Sequence, residues 1–387
     1  MAVDASWRTR LVFGPGTLAR IGELAREQGM HRVLLVTDAG IVAAGHATRA
    51  RDLLGNAGLE VSVFDGVREN PTTLDIDRCL AVARAAGVDG FVGLGGGSSM
   101  DTAKGTNFLL TNGGVMQDYW GVGKASRPML PLIAVPTTAG TGSECQSAAL
   151  IADEASHRKM ACLDPKAAAR VAVLDPELTL SQPRRVTALT GVDAITHAVE
   201  SAVTTKGHAL SRMHAREAFG LLARHLGIVL ETPGNLEARA AMQLGAAHAG
   251  IAIELSMLGA AHAAANPLTA RFNVVHGAAV GLMLPAVVRF NAADPACARA
   301  YAALAVSAGI AGPHLRQDLA VDAFVDALRA LMRAAEVPAS LEAAGVDLDA
   351  IPTLAIEASQ QWTAKFNPRT VATGDFEQLY RAVASGG

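Results

Sequence analysis

The stretch GFVGLGGGSSMDTAK, at residues 90–104, decides the fold of the first half of the chain. Its short apolar run predicts a buried strand, and the glycines that follow allow positive φ and a close approach of the backbone to an anion. The helix expected next would present free N–H groups to a phosphate. Ser98 and Asp101 have the spacing of a capping box. The stretch predicts a phosphate-binding turn, with a purely structural turn as the alternative, although the G-x-G-x-x-G fingerprint is absent.

Similar strand patterns lie on both sides of this turn. Each is a short, continuous apolar run, and segments with helical spacing, such as residues 75–86, lie between the first of them. This alternation is typical of a parallel sheet that is covered by helices on both faces. The predicted strands are residues 32–37, 60–64, 90–94, 132–135 and 171–174.

The second half of the chain has helical patterns only. Alanine- and leucine-rich segments with helical periodicity follow residue 185, and Pro176 and Pro183 bracket a loop before them. Clear examples are residues 211–225, 236–250 and 321–335. We therefore predict an α/β domain over residues 1–180 and an all-helical domain over residues 181–387.

Composition excludes several classes of protein. The chain has 387 residues, of which 50% are hydrophobic, so a large core is available. The net charge is −3 and there are no basic runs, which argues against nucleic acid or an anionic membrane as the main partner. The four cysteines are widely spaced, and neither a signal peptide nor a membrane span is visible. We expect a cytoplasmic protein.

Polar residues that follow the predicted strands favour a nucleotide ligand. Asp38 comes directly after the first strand, where a carboxylate can accept hydrogen bonds from ribose hydroxyls and would favour NAD over NADP; a simple polar turn is the alternative. The segment PTTAGTGSE, at residues 136–144, also follows a strand, and its hydroxyls and glycines suit a pyrophosphate or ribose pocket. Lys159 is a candidate cation beyond that segment, or a solvated surface lysine.

The stretch GVDAITHAVE, at residues 191–200, predicts part of a metal site. Asp193 and His197 are four residues apart, so a helix places them on one face. Burial of both is costly without a common partner, which a metal ion would supply; the alternative is an acidic helix start with a surface histidine. Further ligands have to come from elsewhere in the chain. Three histidines lie among small apolar residues and are not distinguished by spacing: His248, His262 and His276.

Taken together, these motifs resemble the iron-containing (group III) alcohol dehydrogenases, over nearly the whole chain and in the family's order. The stretches that carry the resemblance are GGGSSMDTAKG (95–105), PTTAGTGSE (136–144), GVDAITHAVES (191–201), the run that begins at His262, VVHGAAVGLMLPAVVRFN (274–291) and FNPR (366–369). The resemblance implies a dinucleotide-binding parallel-sheet domain followed by a helical metal-binding domain, as in the dehydroquinate synthase-like fold.

The family's site residues can be carried over by motif. The implied ligands of a divalent ion, Fe²⁺ or Zn²⁺, are Asp193, His197, His262 and His276, which leaves His248 as a helix residue. The implied NAD positions are Asp38 and Asn70 at the adenosine, Gly96, Gly97 and Ser98 at the pyrophosphate, and Thr137, Thr138, Lys159 and Leu178 around the ribose and nicotinamide. Many members carry a second histidine four residues after the third ligand. Here that position is Asn266, which cannot titrate near neutral pH.

The implied activity is NAD(H)-linked hydride transfer to or from a small alcohol or aldehyde, with the ion lowering the pKa of the hydroxyl group. We expect a homo-oligomer, with a dimer as the simplest form. The alternatives are a keto acid reductase similar to maleylacetate reductase, a metal-dependent lyase of the dehydroquinate synthase type, and a non-catalytic nucleotide-binding protein. The four intact ligands argue against the first, and a lack of basic residues near them argues against the second.

Overall fold

A computed structural model describes residues 7–156 and 158–385. The described chain forms two compact units, one over residues 7–182 and one from residue 183 onward. The first is called the α/β unit and the second the helical unit.

The α/β unit is built on a six-stranded parallel sheet with the strand order β1-β9-β6-β4-β2-β3. A smaller sheet has the order β5-β8-β7, in which β7 and β8 are antiparallel. The strands are β1 (Arg10–Phe13), β2 (Arg32–Val36), β3 (Glu60–Phe64), β4 (Gly90–Gly95), β5 (Gly121–Val122), β6 (Leu132–Pro136), β7 (Ala148–Ala152), β8 (Lys159–Leu163) and β9 (Val171–Leu174). The helices of this unit are α1 (Ile21–Glu27), α2 (Ala39–Ala43), α3 (His46–Asn56), α4 (Thr73–Ala86) and α5 (Gly97–Asn112).

Helices cover both faces of the large sheet. Alternate strand residues, for example Leu35 and Leu34, belong to two different hydrophobic clusters, because successive side chains of a strand point to opposite faces. Residues of α1 and α3 pack into one cluster, and residues of α4 and α5 pack into the other. Each fully buried Val or Leu contributes about 1.5–3 kcal/mol. The predicted doubly covered parallel sheet is confirmed.

The helical unit contains α6 (Arg184–Ser201), α7 (Ala209–Glu231), α8 (Leu236–Leu255), α9 (Ala260–Phe272), α10 (His276–Asn291), α11 (Pro295–Ser307), α12 (Gln317–Ala334), α13 (Ile351–Ser359) and α14 (Thr373–Arg381). The residues that cap the starts of α8 and α11 directly precede these helices in the sequence. The Asn235 side chain accepts a hydrogen bond from the Ala238 N–H at the start of α8, and Asp294 caps α11 with Pro295 in its first turn. The predicted all-helical second half is confirmed.

Among the described helices, none is by itself long and apolar enough to cross a membrane. The successive helices α8 and α9 pass that test only as a pair, and they are bent by 105° at the break between them.

The predicted capping box of Ser98 and Asp101 is wrong. Helix α5 begins at Gly97, so both residues lie inside it. Asp101 Oδ1 accepts a hydrogen bond from the Ser143 hydroxyl at 2.9 Å, and Asp101 Oδ2 accepts one from the Leu150 N–H at 3.3 Å. The acid therefore binds the segment that follows β6, and these distant partners cannot be read from spacing along the helix.

Candidate functional site

One carboxylate oxygen and three imidazoles come together in the helical unit. Asp193 and His197 are one turn apart on α6, His262 is the third residue of α9, and His276 is the first residue of α10. The Nε2 atoms of all three histidines face Oδ1 of Asp193. The distances are 3.3 Å for His197, 3.4 Å for His262 and 3.7 Å for His276.

These distances fit a bound divalent ion. Ligand atoms that lie about 2.1 Å from a common ion in tetrahedral geometry are about 3.4 Å apart. The ligand atoms of Asp193, His262 and His276 all lie within 4.8 Å of one another. His197 is outside that mutual set, but it faces the same oxygen, and its ring stacks on the His262 ring with centroids 4.8 Å apart. Asp193 Oδ1 and His262 Nε2 are buried with no hydrogen-bond partner among the described residues, as expected of atoms reserved for an ion.

A short turn and a glycine bring His276 to this cluster. Asn273 ends α9 in the left-handed conformation, with φ 54°, so the next helix begins only three residues later. Gly277 then lies directly against α6, because a Cβ at that position would be 2.1 Å from the backbone oxygen of Leu189. Glycine is required there for the first turn of α10 to approach α6.

Charges within the cluster shift the pKa values of Asp193 and His262. Burial raises the pKa of Asp193, but the surrounding imidazoles outweigh that effect and lower it well below its usual value. Burial lowers the pKa of His262, but the carboxylates of Glu200 and Asp193 outweigh it and raise the pKa to about 9. The carboxylate is therefore ready to bind a cation, and the metal-free site holds a proton on His262.

Glu200 is a site residue that the sequence reasoning missed. It is buried on α6, and its Oε2 lies 2.5 Å from Nδ1 of His262 while its Oε1 accepts a hydrogen bond from the Ala261 N–H at 2.7 Å. Once the imidazolium has lost its second proton, the proton held on Nδ1 leaves the Nε2 lone pair of His262 toward Asp193. The spacing of Asp193, His197 and Glu200, at i, i+4 and i+7 on one helix face, is the signal that could have identified it.

Two other polar residues considered in the sequence have different partners. His248 is not part of the cluster, since its Nδ1 lies 2.9 Å from Nδ1 of His214 on α7. Asn266, one turn after His262 on α9, donates a hydrogen bond from Nδ2 to Oε1 of Gln361 at 3.0 Å.

The predicted nucleotide-binding residues of the α/β unit gather at one edge of the large sheet. Asp38, Gly96 and Thr137 follow β2, β4 and β6, which are adjacent parallel strands, so all three lie at the carboxyl edge. A Cβ on Gly96 would lie 3.5 Å from Cγ2 of Thr138, and a Cβ on Gly95 would lie 3.2 Å from Oδ2 of Asp38. A side chain at either glycine would therefore crowd Thr138 or Asp38.

The same edge includes four more of the predicted residues. The Asn70 N–H donates to Oγ of Ser98 at 3.3 Å, and Lys159 Nζ donates to Oδ1 of Asn70 at 3.3 Å. Gly97 begins α5 beside Thr141, whose Cγ2 would be 2.9 Å from an added Cβ. Leu178, by contrast, has no exposed surface and packs in the hydrophobic core, so its side chain supports the sheet from within.

Lys104 holds the segment after β6 in place. This lysine of α5 is fully buried, and its Nζ donates to the backbone oxygens of Ser143, Gln146 and Ala148 at 2.7, 2.8 and 3.0 Å. It also donates to the Ser143 hydroxyl at 2.9 Å. The charge of Lys104 thus fixes the segment that carries Thr137 and Thr138 to the helix that follows the glycine turn.

The chain is similar to known proteins along nearly its whole length. Residues 8–176 match the family described as iron-containing alcohol dehydrogenase, and residues 187–384 match the C-terminal part of the Fe-containing alcohol dehydrogenase family. The lactaldehyde reductase of Escherichia coli (strain K12) is 33% identical over 371 residues, which are 95% of this chain and 96% of that protein.

Solved structures agree with these matches. One described as 1,3-propanediol oxidoreductase has a TM-score of 0.95 and 31% identity, and the likeness covers 99% of this chain and 100% of that chain. A sulfoacetaldehyde reductase from Bifidobacterium kashiwanohense, in complex with NAD⁺, has a TM-score of 0.90 and 28% identity, covering 100% of both chains.

The fold, the donor set and these matches define a metal-dependent oxidoreductase that acts on alcohols. The chain belongs to the iron-containing alcohol dehydrogenase family. Its family uses NAD(H) and a divalent metal ion, so the predicted class of enzyme and the predicted cofactors are confirmed.

Proposed function

We propose that this enzyme transfers hydride between NAD(H) and a small alcohol or aldehyde, and that Asp193, His197, His262 and His276 hold its metal ion. The observation that carries the assignment of ligands is the convergence of three Nε2 atoms on one carboxylate oxygen, at 3.3–3.7 Å. Three imidazoles and a carboxylate suit both Fe²⁺ and Zn²⁺.

Residues around the proposed ligands orient them and shield them from water. When bound, the ion acts as a Lewis acid toward the oxygen of the alcohol or aldehyde. Glu200 holds the His262 ring by its Nδ1 atom, and the burial of Asp193, His197 and His262 keeps water from the ligand atoms. Asn266 does not titrate near neutral pH, so we propose that it positions a neighbouring group and does not carry a proton.

We propose that the carboxyl edge of the large sheet binds NAD(H). The start of α5 offers free N–H groups to the pyrophosphate beside Gly96, Gly97 and Ser98. Asp38 would accept hydrogen bonds from ribose and disfavour a 2′-phosphate, so NAD is the expected form over NADP. The remaining proposed contacts are Asn70, Thr137, Thr138, Lys159 and the segment at Leu178. In this assignment the α/β domain (1–180) binds the dinucleotide and the helical domain (181–387) binds the metal.

The substrate is proposed to be a small alcohol or aldehyde. The helices that carry the ligands are rich in alanine and other apolar residues, which favours such a substrate over a polyacid. The named relatives act on lactaldehyde, propanediol and sulfoacetaldehyde. A screen of primary alcohols, secondary alcohols, diols and hydroxy acids for NADH formation would define the class.

We also propose a cytoplasmic location and a homo-oligomer, the dimer being the simplest form. All four cysteines are free and buried, as is common for proteins of reducing compartments. Strand β1 lies at an edge of the large sheet and carries the exposed Phe13, and such an edge can pair with a second copy. Light scattering of the purified protein measures the oligomeric state.

Removal of a proposed ligand tests the assignment. We expect Asp193→Ala and His262→Ala to abolish both metal binding and NAD-linked alcohol oxidation. Each substitution removes one proposed ligand of the ion, which is the common partner of the remaining buried ligands. The checks are metal analysis of the purified variants and NADH formation in metal-stripped buffer. Activity that survives in either variant under those conditions would refute the metal role.

A further inference from the structure

The first turn of α9, which carries His262, is capped by residues from other parts of the chain. The first N–H groups of a helix lack partners within the helix. Gly259 precedes α9 and provides no side-chain cap. Instead, the Ala260 N–H donates to Oδ1 of Asn367 at 3.3 Å, and the Ala261 N–H donates to Oε1 of Glu200 at 2.7 Å.

The side-chain amide of Asn367 is fixed in place through both its oxygen and its nitrogen. It is buried, and its amide forms a reciprocal pair with Asn291, with Nδ2 to Oδ1 distances of 2.8 and 3.0 Å. Its Nδ2 also donates to the backbone oxygen of Arg369 at 2.8 Å. Asn291 is the last residue of α10, whose first residue is His276. One amide therefore connects the start of the helix that carries His262 to the end of the helix that carries His276.

Gly259 provides the space that this arrangement needs. A Cβ at position 259 would lie 3.0 Å from Oδ1 of Asn367 and 3.1 Å from Oε1 of Glu200, closer than ordinary van der Waals contact. Its φ of −138° lies outside the left-handed region, and the close approach of both acceptors favours glycine here. A side chain at this position would push both acceptors away from the N–H groups of Ala260 and Ala261.

We propose that Asn367 is a positioning residue for the metal centre, which with Glu200 clamps the first turn of α9 and so sets where Nε2 of His262 lies. The proposal rests on the proposed role of His262 as a ligand. Metal–ligand distances in proteins lie within about 0.2 Å of their usual values, so we expect a shift of the start of α9 to weaken binding. Asn367 acts through α9 and does not touch the ion.

The test compares two buried asparagines. Asn367→Ala removes the clamp, and Asn107→Ala is its matched control. Asn107 is equally buried, lies in the α/β unit, and likewise bonds backbone groups, donating to the Leu130 oxygen at 2.8 Å and accepting from the Leu130 N–H at 3.1 Å. Both variants are expected to lose stability, but only Asn367→Ala should lose affinity for Zn²⁺, by about ten- to a hundredfold.

Competition with a chromophoric chelator measures the affinity, and the visible spectrum of the Co²⁺-loaded protein reports on the ligand geometry. Gly259→Ala, which keeps both acceptor residues but displaces their oxygens, should change that spectrum and weaken Zn²⁺ binding as well. It decides the question if Asn367→Ala does not fold. Wild-type affinity in Asn367→Ala or in Gly259→Ala, or an equal loss in Asn107→Ala, would overturn the proposal. A wild-type protein that binds no Zn²⁺ would instead overturn the proposed metal centre itself.

Discussion

At the scale of single residues, the proposed metal site depends on Glu200, a carboxylate that contacts a ligand histidine and not the ion. Oε2 of Glu200 accepts a hydrogen bond from Nδ1–H of His262 at 2.5 Å. This contact decides which nitrogen of the ring is free to act as a ligand. Such partners of ligand histidines commonly change metal affinity by about 10–100-fold when they are replaced. We therefore propose that Glu200 supports the metal centre together with the four proposed ligands.

We predict that Glu200→Gln weakens metal binding by about 10–100-fold while the protein stays folded. The neutral amide is a weaker acceptor for Nδ1–H, and the ring loses the charge that favours its ligand form. Chelator competition measures the affinity, and circular dichroism checks the fold. Unchanged affinity would show that Glu200 only caps α9.

The same variant has an expected pH dependence in the metal-free protein. Because the pKa of His262 is raised to about 9 in the folded state, from an ordinary value near 6.5, its protonation stabilises the fold fully below pH 6.5. That contribution is lost as the pH rises from 6.5 to about 9. The stability difference between wild type and Glu200→Gln, from urea unfolding at several pH values, should therefore shrink over this window. A constant difference would contradict the pairing.

At the scale of elements, the two central features are a glycine turn and the segment that follows β6. Neither is held by local hydrogen bonds alone. Lys104, buried in α5, binds three backbone oxygens of residues 143–148, and Asp101 of the same helix binds Ser143 and Leu150. Two side chains of a single helix thus fix the segment that lies beside the proposed pyrophosphate site.

We predict that Lys104→Met destabilises the protein by about 3–5 kcal/mol and weakens NAD⁺ binding. Methionine has a similar shape, but it leaves buried carbonyl groups without a donor and Asp101 without its neighbouring charge. Urea unfolding measures the first effect and a fluorescence titration of NADH the second. Lys124→Met, at an exposed lysine, is the control and should change neither quantity. Equal behaviour of the two variants would show that Lys104 plays no part in holding the segment.

At the scale of the whole molecule, metal binding should raise the free energy of unfolding. An ion that binds only the folded chain stabilises it by about 2.7 kcal/mol at a free concentration a hundred times Kd. We predict that Zn²⁺ at this excess raises Tm by about 3 °C over chelator-treated protein, and that His262→Ala abolishes the rise. Scanning calorimetry measures both, and a rise that persists in His262→Ala would point to a different site.

Much of the architecture could be predicted from the sequence, because strand and helix periodicities are local. Strands β3 and β9 have the predicted bounds, and the change to an all-helical second half is visible in composition alone. The strands β1, β5, β7 and β8 were not predicted. The residues of β7 and β8 are mostly apolar, but the runs are short and contain alanine, so periodicity alone does not distinguish a strand from a buried helix segment.

For the site, the sequence by itself determined which residue types are available and which share a helix face, as for Asp193 and His197. Only the tertiary structure decided that His262 and His276 turn toward Asp193, that His248 pairs with His214, and that Leu178 is enclosed in the core. The physical reason is that spacing fixes directions within one helix. The contacts between helices depend on how their side chains pack, and here also on one buried amide at Asn367 and on the missing side chains of Gly259 and Gly277.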